Sequence, residues 1–140
     1  MKKFDAIIIG SGQAGTPLVF KLASKGQKVA FIEKEHVGGT CVNDGCTPTK
    51  AYVASARRMW AAQHGAELGI TIPKGTKDDL NNVKARKYLL IKKSLNGIFN
   101  GLKNAKNITF FKGTSQFTCQ KKINLYTKEI TSEPIYIIIY

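Results

Sequence analysis

Two cysteines, Cys41 and Cys46, stand in the segment "GGTCVNDGCTPTK" with four residues between them. Thiols at this spacing could bind a metal, lie inert in the core, form a structural disulfide or exchange electrons. Zinc needs two further ligands, and the remaining cysteine and histidines form no partner pair at a familiar spacing: Cys119, His36 and His64. A disulfide closing so short a loop constrains the unfolded chain little, and an inert pair fits poorly among glycines and polar residues. The residues therefore favour a redox-active pair.

The position of Cys46 supports this interpretation. It directly precedes Thr47 and Pro48, which the sequence predicts as the N-cap and the first residue of a helix. A sulfur at the amino end of a helix is held where the dipole favours the thiolate that disulfide exchange needs. We therefore expect Cys46 to be the activated thiol.

A glycine pattern upstream predicts a nucleotide site. Gly10, Gly12 and Gly15 form G-x-G-x-x-G after the apolar run "DAIIIG" and before a helical pattern. The first glycine allows a tight turn, the second lets backbone amides approach a pyrophosphate, and the third lets the helix pack on the strand. Glu33 ends the next apolar run, "KVAFIE", where a carboxylate can accept hydrogen bonds from a ribose diol. It would repel a ribose 2'-phosphate, so FAD or NAD suits the site better than NADP.

These residues need a strand, a helix and a second, parallel strand to position them. The fold class predicted is α/β, a Rossmann-like doubly wound parallel sheet. Further along, we expect a helix starting at residue 48 after its N-cap, a long helix over roughly residues 79–104, a strand at "NITFFKG", a small antiparallel ribbon and a buried strand at "PIYIIIY". The long helix has five apolar residues expected to face inward: Leu89, Leu90, Leu95, Ile98 and Phe99.

Composition bounds the class of protein. The 140 residues are the usual size of one domain, and the apolar runs are too short to span a bilayer. A signal-peptide pattern is missing from the first residues, so we expect a cytoplasmic protein without membrane contacts. The net charge of +13 comes partly from nine basic residues between positions 74 and 106. A solvated helix face explains that excess, and we do not expect nucleic-acid binding.

The motifs "IIIGSGQAG", "FIEKE" and "GGTCVNDGCTPTK" together resemble the amino-terminal FAD-binding part of the class I pyridine nucleotide-disulfide oxidoreductases. The resemblance implies FAD as cofactor, NAD(P)H as co-substrate, and Cys46 facing the flavin while Cys41 meets the substrate. It places Lys50 near the flavin and Glu33 at the adenosine ribose. The residues implied along the rest of the cofactor are Gly10, Ser11, Gly12, Gly15, Gly39, Thr40, Gly113, Thr114 and Ser115.

The same resemblance implies a longer parent enzyme. We expect residues 1–140 to be a truncated FAD-binding domain, without the NAD(P)H domain, the second FAD segment and the interface domain that carries the acid-base residue of a homodimer. The parent would reduce a small disulfide or a metal ion, or oxidise a dithiol. This chain could also be an FAD-binding module without turnover. A plain NAD-dependent dehydrogenase would have no use for Cys41 and Cys46. We expect His36 and His64 to be surface or helix-terminal residues and not the acid-base group.

Overall fold

A computed structural model describes residues 2–119, 122–125, 128–131 and 135–137. The side chain of Cys119 lies outside what is described. Along the chain the elements are β1 (Lys2–Lys3), β2 (Ala6–Ile9), α1 (Gly15–Ser24), β3 (Val29–Glu33), α2 (Gly39–Asn43), α3 (Cys46–Gln63), a 3-10 turn (Ala66–Leu68), α4 (Leu80–Asn104), β4 (Ile108–Lys112), β5 (Gln116–Cys119), β6 (Lys122–Leu125), β7 (Lys128–Thr131) and β8 (Ile135–Ile137).

A parallel sheet in the order β4-β3-β2-β8 forms the centre of the fold. Ile8 of β2 pairs with Phe31 of β3, which in turn pairs with Phe110 of β4. The predicted parallel pair and its crossover helix α1 are therefore confirmed, as is the predicted strand "NITFFKG". The predicted last strand is present as β8 beside β2, while the burial of its side chains lies outside the described residues.

Both faces of the parallel sheet are covered. Successive residues of a strand point to opposite faces, so alternate residues of β2 and β3 belong to different cores. Ile8, Phe31 and Val19 of α1 belong to the core on one face. On the other face, Ile7 and Ile32 pack with apolar residues of a second sheet, Ile123 and Ile130 among them. Because both faces are buried, β2 and β3 need apolar residues at nearly every position. The sequence therefore shows no alternation of apolar and polar residues there.

The second sheet has the order β1-β7-β6-β5. Its strands β5, β6 and β7 pair antiparallel, which confirms the predicted small ribbon. Strand β1 joins it by parallel pairing with β7, from Lys2 opposite Ile130 to Lys3 opposite Thr131. A two-residue lysine strand carries no apolar pattern, so the sequence did not predict it.

The start of α3 differs from the prediction. The helix begins at Cys46 and its N-cap is Gly45, so the assignment of Thr47 as N-cap and Pro48 as first helical residue is wrong. Proline is accepted at the third helical position because the first four amides of a helix have no intrahelical acceptor. The Gly45 amide donates to the Thr40 carbonyl at 2.7 Å, which ends α2 and lets α3 start at once.

Helix α4 matches its predicted limits to within one residue. Asp79 caps it, with Oδ1 accepting from the amides of Asn81 at 2.9 Å and Asn82 at 3.2 Å. Leu90, Leu95 and Ile98 are half-buried, but the inward placement of Leu89 and Phe99 is wrong, since they are 65% and 46% exposed. Leu89 lies about 100° around the helix from Leu90 and so falls outside the half-buried stripe, whereas Phe99 lies one turn beyond Leu95, at the edge of that stripe.

None of the described helices is both long and apolar enough to cross a bilayer.

Candidate functional site

A cleft of about 310 Å³ opens where β2, β3 and β4 end. The carboxyl ends of parallel strands meet at one edge of a sheet, which is where such folds bind ligands. Nine of the residues that the sequence predicts for the cofactor line this cleft: Gly10, Ser11, Gly12, Glu33, Gly39, Thr40, Gly113, Thr114 and Ser115. The fold therefore brings together segments that are up to about a hundred positions apart in the chain.

Backbone forms much of the cleft wall, because Gly15 and Gly39 let neighbouring segments of the chain approach the turn after β2 closely. A Cβ atom at Gly15 would lie 1.9 Å from the Gly10 carbonyl oxygen, so only glycine lets α1 start against the turn after β2. Gly39 has a φ of +63°, and a Cβ there would lie 2.9 Å from the Cα of Gly12. Ala14, the N-cap of α1, carries no side-chain acceptor. The amino end of α1 thus offers backbone amides and a positive dipole end to an anion.

Glu33 is held at the end of β3 by three short hydrogen bonds, and the Lys34 amide adds a further contact. Its Oε2 accepts from the Ser11 amide at 2.9 Å and the Ser11 hydroxyl at 2.6 Å. Its Oε1 accepts from the Glu35 amide at 2.7 Å. Burial by itself disfavours the charged form, but these donors outweigh it and leave the pKa of Glu33 below its ordinary value of 4.5. The cleft therefore contains a fixed carboxylate that is ionised at neutral pH.

The two cysteines lie beside the cleft. Cys41 belongs to the short helix α2, and Cys46 is the first residue of α3. Both thiols are free, with Cys41 half-buried and Cys46 exposed. A hydrogen bond with the Cys46 side chain, together with some loss of solvent, raises the pKa of the Cys41 thiol. Thr40 and Asp44 both line the cleft. Cys41 lies between them and Cys46 follows two residues after Asp44, so the cysteine pair and the cleft share one stretch of backbone.

Two of the residues predicted for the cofactor do not line the cleft. Gly15 is buried behind the glycine turn, where its role is to let α1 approach. Lys50 is exposed on the second turn of α3, so its predicted place near the flavin stays a prediction. His36 and His64 are both exposed as predicted, and His64 stacks on Trp60 with 4.3 Å between ring centroids.

The sequence also missed residues of the cleft. Lys34, Glu35 and His36 follow β3 and line it; their position just beyond a strand end is the signal that could have identified them. Asp44 lines it from between the two cysteines, and no sequence pattern marks that carboxylate. Among the described residues there is no group of three or more His, Cys, Asp or Glu side chains placed to hold a metal ion.

The parallel sheet, the glycine turn and the strand-end carboxylate together define a dinucleotide-binding α/β fold of the Rossmann type. The model of the family described as "Pyridine nucleotide-disulphide oxidoreductase" matches residues 4–137. The chain belongs to that family.

Relatives and solved structures agree with this assignment. The chain is 33% identical over 117 residues to dihydrolipoyl dehydrogenase of Bacillus subtilis, covering 83% of this chain and 25% of that protein. It is 35% identical over 97 residues to the same enzyme of Acholeplasma laidlawii, covering 69% and 29%. A solved structure of the HOCl-induced flavoprotein disulfide reductase RclA from Escherichia coli, a Cu(II) complex, superposes with a TM-score of 0.77 at 31% identity, over 99% of this chain and 29% of RclA. The chain thus spans about a quarter of the length of the curated relatives that it matches.

Proposed function

We propose that this chain provides the FAD-binding site and the redox-active cysteine pair of a pyridine nucleotide-disulfide oxidoreductase. The observation that carries the proposal is the shared backbone of residues 38–46. This stretch gives Gly39, Thr40 and Asp44 to the cleft wall and also carries Cys41 and Cys46. A nucleotide site and a dithiol that share one loop are suited to exchange of electrons between them.

The residues of the cleft fit the adenosine and pyrophosphate parts of FAD. The backbone around Gly10 and Gly12, which a Cβ at Gly39 would obstruct, can approach phosphates, and α1 directs its amino end toward them. Glu33 offers an ionised carboxylate for a ribose hydroxyl. When bound, FAD supplies a two-electron carrier, which NAD(P)H would reduce in the complete enzyme.

The cysteines perform the thiol chemistry. Oxidation of Cys41 and Cys46 to a disulfide releases two electrons and two protons, and the reverse reaction takes them up. Cys46, exposed at the amino end of α3, would face the flavin, and Cys41 would meet the substrate. Because thiolates are the reacting species, Cys41, whose pKa the hydrogen bond with Cys46 raises, would have to lose its proton before it attacks a substrate disulfide. The substrate class would be a small disulfide or dithiol, or a thiophilic metal ion, and the complete enzyme a homodimer.

The test is a visible spectrum of the chain after addition of FAD and removal of the excess by gel filtration. We expect a retained flavin band that gains long-wavelength absorbance on partial reduction. That gain should be lost in Cys46→Ala and kept in Ser24→Ala, a control whose exposed hydroxyl donates to the Lys21 carbonyl of its own helix end. A colourless protein would contradict the proposal for this chain. Retained flavin without any cysteine-dependent band would instead favour a binding module without turnover.

A further inference from the structure

We propose that Ser11 is a positioning residue that fixes Glu33 so that the carboxylate accepts at most one hydrogen bond from a bound nucleotide. The inference rests on the proposed function, since it presumes that adenosine occupies the cleft. The glycine pattern alone does not predict this role for Ser11. The middle residue of G-x-G in this chain acts through its side chain on a residue 22 positions later.

The Ser11 hydroxyl is fully committed within the protein. Ser11 is fully buried, and its Oγ donates to Glu33 Oε2 at 2.6 Å while accepting from the Gly38 amide at 3.1 Å. Its carbonyl oxygen accepts from the Thr16 hydroxyl at 2.7 Å. Ser11 therefore ties the glycine turn, the end of β3, the segment before α2 and the first turn of α1 to one another. A hydroxyl used in this way has no proton left to donate to a phosphate.

Counting acceptor positions limits what Glu33 can do. An ionised carboxylate has about four lone-pair positions. Oε2 uses two of them on Ser11, and Oε1 uses one on the Glu35 amide. The Lys34 amide also donates to this carboxylate, so at most one position remains for a ligand. A ribose presents two hydroxyls, so the structure predicts that only one of them is bound by this carboxylate.

The experiment measures binding of ADP, 2'-deoxy-ADP and 3'-deoxy-ADP to the 140-residue chain by calorimetry. For the wild type, one deoxy nucleotide should bind roughly tenfold or more weakly than ADP, as expected for loss of a hydrogen bond to a charged group. The other should bind nearly as well as ADP. In Ser11→Ala, the carboxylate loses its strongest orienting contact, and the ratio between the two deoxy nucleotides should fall toward one.

Two variants separate positioning from general damage to the fold. Ser24→Ala, an exposed serine at the end of α1, should keep the wild-type ratio. If Ser11→Ala does not fold, Ser11→Cys keeps the shape and a weak donor, and its ratio should lie between that of the wild type and one. A simple loss of stability would weaken all three nucleotides equally and leave the ratio unchanged.

The possible results separate failure of the nucleotide cleft from failure of the role assigned to Ser11. If the wild type does not bind ADP, the nucleotide cleft and this inference fall together. If ADP binds but both deoxy nucleotides lose affinity equally, or neither does, the single-acceptor assignment is overturned while the proposed function stands. If Ser11→Ala or Ser11→Cys keeps the full wild-type ratio, Ser11 does not position Glu33.

Discussion

The cleft differs from the hairpin formed by helices α3 and α4 in how far its side chains are buried. Around the cleft, Ile8, Phe31 and Val19 are fully buried, and the polar side chains Ser11 and Glu33 satisfy one another. Helix α4 has no buried residue, and the hairpin exposes large apolar side chains: Trp60, Leu80, Tyr88, Leu89 and Phe99. Buried apolar area stabilises a fold and exposed area does not. Stability should therefore depend on the sheet and its glycine turn far more than on the hairpin.

A pair of aromatic truncations should separate the two regions most widely. Phe31→Ala empties a fully buried position between β2 and β4 and should lower the free energy of unfolding by roughly 3–5 kcal/mol. Trp60→Ala removes a side chain that is 62% exposed and should change it by no more than about 0.5 kcal/mol. Urea unfolding followed by circular dichroism measures both. Similar losses in the two variants would show that the hairpin is as strongly packed as the sheet.

The same alanine substitution at two glycines should change stability in opposite directions. In Gly15→Ala the new methyl would lie 1.9 Å from the Gly10 carbonyl oxygen, and relieving that clash by moving backbone should cost about 3 kcal/mol. In Gly97→Ala, within α4, the methyl enters space with no heavy atom of another described segment within 4 Å. The higher helix propensity of alanine should then stabilise the chain by about 0.5–1 kcal/mol.

Chemical denaturation of the two glycine variants beside the wild type checks this pair. A tolerated Gly15→Ala would mean that α1 can move away from the turn after β2 without loss. That result would weaken the assignment of Gly15 as the residue that permits their close approach.

The comparison also explains what sequence reasoning could reach. The β2–α1–β3 unit was predictable because its glycines and apolar runs carry requirements that are local to a few residues, as at Gly10 and Gly15. The predictions failed where neighbours in space decide. Leu89 and Phe99 are apolar, yet their exposure depends on which side of α4 meets α3. The start of α3 at Cys46 depends on a hydrogen bond between Gly45 and Thr40, which no propensity encodes.

The candidate site shows the same division. Nine of the residues predicted for the cofactor lie together because strand ends converge at one edge of the sheet, which the glycine pattern and the family resemblance can anticipate. The hydrogen bonds that tie Ser11 to Glu33 and Gly38 join segments more than twenty residues apart, and only the structure shows them. The pattern thus predicted where the site lies, and the contacts between segments determine what each side chain can still bind.

Lowering the pH should weaken the cleft region through Glu33. Its pKa is lower in the folded chain than its ordinary value of 4.5, so its contribution to stability is fully present above about that pH and is lost as the pH falls through the folded value. Glu33→Gln should therefore show a shallower loss of thermal stability than the wild type between about pH 5 and pH 3. Melting temperatures over this range measure the difference. Parallel curves for the two proteins would contradict the assignment.

The smallest effect is expected at the contact that joins the two hairpin helices. Arg86 Nη1 of α4 donates to the Ala51 carbonyl of α3 at 3.0 Å. Arg86→Ala should lower the free energy of unfolding by about 1 kcal/mol, since a partly solvated hydrogen bond contributes little net. Lys84→Ala removes the same charge from the exposed surface of α4 and should change it by less than about 0.5 kcal/mol. Equal effects of the two substitutions in urea unfolding would assign the contribution of Arg86 to charge and not to the contact with Ala51. A loss approaching that of Phe31→Ala would mean that the hairpin, despite its exposed apolar surface, is held as firmly as the sheet.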